Sequence, residues 1–196
     1  MYAAVSTPVS QAAAFERDWT ALRTMWHAEH GVPVDYELHA TLFILGRGRP
    51  GGHNPARIDR ARMAQSALDL IGSHPGVSVT SVHTTVLGDW RAAKTTAYTG
   101  LLRQPDWQLA AENEHATLVV DGDGTEALYG QAHTLVQPAR IAQPAQQLPA
   151  HDSLWLQAAD LVAYSACQSV AQQESRRFMW QWYGRHLPKA EPPRQC

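Results

Sequence analysis

The stretch from His151 to Cys167, HDSLWLQAADLVAYSAC, is apolar except for a few regularly spaced polar residues, and it constrains the fold more than any other part of the chain. Its polar residues Ser153, Gln157, Asp160 and Tyr164 lie three or four positions apart, which places them on one stripe of a helix. A helix that is apolar nearly all round is usually buried. A carboxylate is almost never fully buried unless it is paired or binds a metal, so Asp160 is either hydrogen-bonded at the margin of the core or part of a metal or catalytic site.

Length and composition favour one folded domain. The chain has 196 residues, of which 44% are apolar and 17% are charged, and these proportions exclude a disordered protein. No apolar run approaches the roughly 20 residues of a transmembrane helix, and the N-terminus lacks the features of a signal peptide, so we expect a cytoplasmic protein without a membrane partner. The two cysteines, Cys167 and Cys196, fit neither a disulfide framework nor a cysteine-based zinc site. We predict a single domain over residues 1–196, with a frayed end at residues 188–196.

Charge is distributed unevenly along the chain. Residues 99–168 carry two Lys or Arg against eight Asp or Glu, whereas residues 169–196 carry five against two. An acidic patch beside a basic tail suits cation binding next to a surface for a polyanion, although a solvated surface alone would carry the same charges.

Hydrophobic periodicity predicts an α/β fold. The predicted strands are 2–9, 77–86, 115–120 and 140–143, and the predicted helices are 11–30, 55–71, 90–102, 125–136 and the apolar stretch that begins at the N-cap Asp152 or Ser153. Pro105 is expected to close the helix that starts at Trp90. The strand 115–120 is an apolar run typical of a sheet interior, and Asp121 follows it directly.

A glycine-rich segment, GRGRPGG at residues 46–52, formally satisfies the spacing of a dinucleotide-binding turn. The next helix begins too late for its N-terminus to hold a pyrophosphate, so the segment is predicted to be a flexible surface loop. Arg47, Arg49 and Arg57 are candidate contacts to phosphate groups from that loop.

Three carboxylates occupy places where ligands gather. Glu37 opens an apolar segment, Asp121 ends a predicted strand, and Asp160 lies on the apolar helix. Each has a structural explanation when it is taken alone. Together they suggest convergent acidic residues, which repel one another and need a hard divalent cation such as Mg²⁺ or Mn²⁺. His39, two residues after Glu37, could orient a ligand or shuttle a proton.

Three motifs resemble, in order, those of the domain of unknown function 3800 family: Glu37-Leu38-His39-Ala40, Leu118-Val119-Val120-Asp121, and Asp152-Ser153 followed by Leu156 to Tyr164, LQAADLVAY. The resemblance covers nearly the whole chain. It implies a ribonuclease H-like mixed sheet flanked by helices, with an acidic metal site. It further implies metal or catalytic roles for Glu37, Asp121 and Asp160, with His39, Ser153 and Gln157 as supporting polar residues.

The chain departs from that family at its start, because members usually begin with a strand that ends in a Tyr-x-Asp-Glu-Ser-Gly type motif. Here the sequence starts in what would be the second strand, which predicts an N-terminally truncated fold. A missing central strand would leave an unpaired sheet edge that favours association with a second copy.

The sequence therefore predicts a divalent-metal-dependent nuclease or phosphodiesterase, with nucleic acid as the partner. The alternative is a catalytically inactive member of the same fold that binds nucleic acid or a protein. A different acid/base hydrolase using Glu37 and His39 is a third option, although the chain has no GxSxG elbow for acyl transfer.

Overall fold

Twelve helices and strands, together with three short 3₁₀ turns, form the part of the chain that the computed structural model describes, residues 1–85 and 88–196. In chain order they are β1 (Tyr2–Ser6), α1 (Val9–His30), α2 (Ala40–Ile44), α3 (Arg57–Ser73), β2 (Ser78–His83), α4 (Trp90–Glu112), β3 (Val119–Asp121), α5 (Leu128–Val136), β4 (Gln146–Leu148), α6 (Leu154–Ala171), α7 (Trp182–His186) and β5 (Arg194–Gln195). The predicted α/β class is confirmed.

The described strands form two small sheets. In the larger, β1 pairs antiparallel with β2, with Tyr2 opposite Val82 and Ser6 opposite Ser78. The same β2 pairs in parallel with β5 on its other side. In the smaller sheet, β3 pairs in parallel with β4, with Asp121 opposite Leu148. A mixed sheet is therefore present, with a separate two-stranded sheet beside it.

Strand β1 lies between two hydrophobic clusters. Successive side chains of a strand point to opposite faces. Accordingly, Ala3 and Val5 pack against the larger cluster, which α1, α3 and α6 build, while Tyr2 and Ala4 pack against a smaller cluster around Tyr98 of α4. The small side chains of β1 allow close packing on both faces.

Helix α6 is the central helix of the larger cluster and packs against β1, β2, α2, α3 and α7. Its buried positions include Gln157, Ala158, Leu161, Val162 and Ser165, which recur with helical spacing. The apolar stretch thus forms the buried helix that its sequence predicts.

Several predicted boundaries differ from the structure. Pro105 does not close α4, which continues to Glu112 with the proline inside it, so the Leu101 carbonyl lacks its usual helical N–H donor. The predicted strand at 140–143 is replaced by β4, which begins only at Gln146. The strand predicted to end at Val86 is observed as Ser78–His83, and Val86 lies outside the described residues.

Strand β3 was predicted to lie in a sheet interior, and this prediction is wrong. It has only three residues, and among the described strands it pairs with β4 alone. Val119 is consequently 39% exposed. An apolar run indicates burial only when a strand is covered on both faces, which this short sheet does not achieve.

The end of the chain, predicted to fray, is held in place by backbone pairing. Arg194 and Gln195 form β5 against β2, and the Cys196 N–H donates to the His83 carbonyl at 2.8 Å. The Tyr183 hydroxyl also donates to the Glu191 carbonyl at 2.9 Å. These contacts depend on residues far back in the chain, which local sequence patterns do not report.

In the described residues, no helix is both long and apolar enough to cross a membrane.

Candidate functional site

Asp160 of α6 binds the first N–H of α2. Its Oδ2 accepts a hydrogen bond from the Ala40 N–H at 2.8 Å, and the Nδ1 of His39 lies 3.4 Å from the same oxygen. The α2 N-cap residue, His39, makes no side-chain capping bond itself. Asp160 therefore supplies from another helix the acceptor that a local N-cap side chain usually provides.

Gln157 lies one helical turn before Asp160 and joins three segments. Its Oε1 accepts hydrogen bonds from the Leu38 N–H at 3.0 Å and from Nη1 of Arg23 at 3.3 Å. Its Nε2 donates to the Ala150 carbonyl at 3.2 Å. Gln157 is a positioning residue, since it fixes the backbone on both sides of the cleft and is itself buried.

Arg23 of α1 is the buried cation beneath this arrangement, with 2% of its surface exposed. Its Nη2 donates to the carbonyls of Tyr36, at 2.5 Å, and Pro33, at 3.3 Å. Burial lowers the pKa of Arg23 to about 10, so the guanidinium remains charged near neutral pH. Sequence reasoning missed Arg23, although its position between Trp19 and Trp26 on the apolar stripe of α1 is a visible signal.

Asp121 occupies the end of β3, as predicted, and faces the same region. Its Oδ1 accepts a hydrogen bond from the Ala150 N–H at 3.1 Å. Burial raises the pKa of Asp160, and the charge of Asp121 raises it further, against the opposing effects of the Ala40 N–H and of His39. The two carboxylates, which are distant in sequence, are therefore close enough in space to repel each other.

Glu37 is exposed and makes no side-chain hydrogen bond or ion pair with any described residue. It opens into a cleft of about 430 Å³, whose lining does not include Asp160. The cleft is lined by Glu37, Asp121, Gly122, Asp123, Thr125, Glu126, Pro149, Ala150 and His151. Four of these residues are acidic.

Asp123 and Glu126, which also line the cleft, have structural partners. Oδ1 of Asp123 accepts hydrogen bonds from the N–H of Thr125 at 3.0 Å and from its hydroxyl at 2.6 Å, and these bonds lower the pKa of Asp123. Glu126 forms an ion pair with Lys94, whose ammonium lies over the rings of Trp90 and Tyr129. The carboxylate least engaged with other groups is thus Glu37.

Ser153 serves as the N-cap of α6. Its hydroxyl accepts a hydrogen bond from the Leu156 N–H at 3.3 Å, the usual role of a serine at this position. Ser153 supports the site by fixing where α6 begins, in the segment that also carries Ala150.

Arg47, Arg49 and Arg57 lie beyond the other end of α2. The loop after α2 folds back on it, since the N–H groups of Arg47 and Gly48 both donate to the Leu42 carbonyl. All three arginines are exposed. Arg57 opens α3, and its guanidinium lies over the ring of Phe178, 4.9 Å from the ring centre.

The donor set of the cleft was compared with what a divalent cation requires. Among the described residues, no group of three or more His, Cys, Asp or Glu side chains has the arrangement of a metal centre. Asp160 and Asp121 nevertheless each use one carboxylate oxygen for a backbone N–H, which leaves the second oxygen of each for another ligand. Mg²⁺ is typically bound by one or two protein carboxylates and keeps several waters, so it does not require a three-residue cluster.

Comparison of the chain with protein-family models, with curated proteins and with solved structures finds no match.

Proposed function

We propose that the protein is a divalent-metal-dependent nuclease or phosphodiesterase of the domain of unknown function 3800 family, with a ribonuclease H-like fold. The observation that carries the proposal is that Asp121 accepts the Ala150 N–H while Gln157, one helical turn before Asp160, donates to the Ala150 carbonyl. Asp121 and Asp160 are thus linked through Ala150, and each has one carboxylate oxygen free of hydrogen bonds from described residues. Two acidic side chains that repel each other beside an open cleft are stabilised by a bound cation.

The proposed metal ligands are Asp121 and Asp160. Glu37, the expected third ligand, lines the cleft with Asp121 but does not form a three-residue cluster with the other two among the described residues. Mg²⁺ or Mn²⁺ would neutralise phosphate charge and activate water when bound. The residues of the chain orient this site: Gln157 and Arg23 fix the segment that carries Glu37, while the Ala40 N–H holds Asp160. The imidazole of His39, 3.4 Å from Asp160 and half exposed, is placed to hold or release a proton.

Nucleic acid is the proposed partner, and the cytoplasm is the proposed location. The arginines at the far end of α2 would bind backbone phosphates, while the acidic cleft holds the scissile bond. The described sheets leave edges of β1 and β3 unpaired, which suits pairing with a second copy. Size-exclusion chromatography with light scattering would report such a dimer.

A second function, binding without catalysis, is favoured by the hydrogen bonds that Asp160 and Asp121 make to backbone N–H groups. These bonds give both carboxylates a structural role that needs no metal. Binding of nucleic acid or of a protein that is indifferent to EDTA and to Asp160→Asn would select this function over the nuclease.

The test of the nuclease is cleavage of labelled RNA, DNA and hybrid strands by the full chain with Mg²⁺ or Mn²⁺. We expect cleavage that Asp160→Asn and Asp121→Asn both reduce to background, since an asparagine oxygen still accepts the backbone hydrogen bond but carries no charge. The control is Glu112→Gln, an exposed carboxylate on α4. Absence of cleavage with every substrate and both metals would overturn the catalytic proposal.

Metal binding has a separate readout in thermal stability. Mn²⁺ at about 100 times its dissociation constant should stabilise the folded chain by about 2.7 kcal/mol, because it binds only that state. Asp160→Asn should remove this effect and Glu112→Gln should retain it. An unchanged melting temperature across a Mn²⁺ titration of the wild-type chain would contradict the assigned ligands.

A further inference from the structure

Arg57 forms part of a surface that includes an exposed aromatic ring. We define the arginine surface as Arg57, Arg176 and Phe178. Arg57 and Phe178 are in contact through the guanidinium and the ring. Arg57 begins α3, and Phe178 belongs to the 3₁₀ turn after α6, so two segments distant in sequence build one surface.

Positive charge on this surface is not neutralised by neighbouring carboxylates. Within the described residues, Arg57 and Arg176 form no ion pair. The acidic residues two positions from them in the sequence pair with other arginines: Asp59 with Arg62, and Glu174 with Arg177. The buried Arg60 adds a further cation. Its Nε donates to the Ile44 carbonyl at 3.5 Å, and its guanidinium also binds the Pro55 carbonyl. A phosphate group would complement this excess charge.

The arginine surface connects to the acidic cleft along α6. The Nε of Arg176 donates to the Tyr164 hydroxyl at 3.3 Å. Tyr164 follows Asp160 by four residues on the same helical stripe, a rise of about 6 Å along the axis. A chain of phosphates bound at Arg176 is therefore within a short distance of Asp160.

Apolar side chains are interspersed with these arginines. Phe178 is 37% exposed, and Ile58, next to Arg57 in the sequence, is 58% exposed. The ring of Phe178 is fixed by Arg57 on its face and by Trp182 in an edge contact, with 5.6 Å between the ring centres. An ordered aromatic ring and a guanidinium plane are the groups on which unpaired bases stack.

We propose that the arginine surface binds single-stranded nucleic acid, with phosphates at Arg57 and Arg176 and an unpaired base against Phe178. This inference rests on the proposed function and specifies its substrate as unpaired strands. A duplex keeps the faces of its bases stacked inside, so it offers phosphates to the arginines but no base to Phe178. The bound strand then passes Tyr164 toward Asp160.

The experiment measures binding of the full chain in EDTA, so that cleavage plays no part. The probes are a fluorescent single strand of about ten nucleotides and a blunt duplex of the same sequence, each at several salt concentrations. We expect tighter binding of the single strand. Phe178→Leu should weaken it about tenfold and leave duplex binding unchanged, since leucine keeps apolar volume but cannot stack. Trp107→Leu is the matched control, because Trp107 is 74% exposed on α4.

A second variant tests the phosphate contact of Arg57 through the salt dependence of binding, a readout that the packing of its guanidinium on Phe178 does not supply. Arg57→Gln should reduce the slope of log affinity against log salt by about 0.7, the value for one phosphate of a single strand. Arg17→Gln, an exposed arginine of α1, should leave the slope unchanged. Melting curves of all four variants verify that each is folded.

The outcomes separate this inference from the nuclease proposal. Three results would overturn the inference of single-strand binding: duplex binding that is equal or tighter, equal effects of Phe178→Leu and Trp107→Leu, or no nucleic-acid binding at all. In the last case a protein would be the partner to seek. Single-strand binding without cleavage would support the inference and contradict the nuclease. Cleavage by the wild type, together with a Phe178→Leu variant that binds the single strand as tightly as the wild type, would support the nuclease and contradict this inference.

Discussion

The two ends of α2 present opposite chemistry and differ in how many side-chain hydrogen bonds they make. At its start, Asp160 and Gln157 are fixed by hydrogen bonds to backbone groups of segments distant in the sequence. Beyond its end, Arg47 and Arg49 are exposed, and no side-chain hydrogen bond or ion pair of theirs to a described residue is found. The difference suits a cleft that must hold groups at fixed positions and a surface that must adapt to a flexible strand.

Buried Arg23 explains why the segment beside the cleft is held by so many hydrogen bonds. A guanidinium without a carboxylate partner must satisfy its N–H groups with carbonyl and amide oxygens, and three of these come from Pro33, Tyr36 and Gln157. The segment around Glu37 is thereby tied to both α1 and α6.

The largest loss of stability should come from Gln157→Leu, which removes the hydrogen bonds that hold the start of α2 and the cleft. It leaves the Leu38 N–H, the Ala150 carbonyl and Nη1 of Arg23 without their partner, which should lower the free energy of unfolding by about 3 kcal/mol or more. Urea denaturation measures this loss in the free energy of unfolding. The control is Gln168→Leu on the same helix, since the buried Oε1 of Gln168 has no hydrogen-bond partner among the described residues. Equal losses in the two variants would mean that the network does not hold the cleft.

A smaller difference in stability should separate the structural role of Asp160 at the start of α2 from its proposed role as a metal ligand. Asp160→Ala removes the acceptor of the Ala40 N–H, whereas Asp160→Asn keeps one, so the alanine variant should be less stable than the asparagine variant by about 1 kcal/mol. Both should lose metal-dependent cleavage. If the two variants unfold at the same urea concentration, Asp160 does not stabilise the start of α2.

The smallest effect should be the pH dependence that Asp160 contributes. Its pKa is raised above 3.8 in the folded chain, so the folded state binds the proton more tightly than the unfolded state. The free energy of unfolding of the wild type, relative to Asp160→Asn, should therefore fall as the pH rises from 3.8 through the raised pKa.

The same urea titrations, repeated over a series of pH values, measure that difference. Adding Asp121→Asn to both chains should reduce the slope, because the charge of Asp121 contributes to the raised pKa. A relative stability that rises with pH would mean that the charged form of Asp160 is favoured in the fold.

The sequence determined the parts of the site that depend on local periodicity. The polar stripe of α6 placed Gln157, Asp160 and Tyr164 on one side of a buried helix, and the N-cap role of Ser153 followed from its residue type. The expected burial of α6 also left open that Asp160 is hydrogen-bonded at the margin of the core, and the Ala40 N–H is that partner. Helical spacing and burial are local consequences of residue type, so a single sequence carries them.

Only the tertiary structure decided which distant groups meet. The donors to Gln157 lie 134 and 119 positions away in Arg23 and Leu38, and the exposed Phe178 meets Arg57 from another part of the chain. The short, exposed β3 likewise depends on which strand pairs with it, not on its own apolar run. Contacts of such long separation are set by the packing of whole helices, which the periodicity of each helix does not specify.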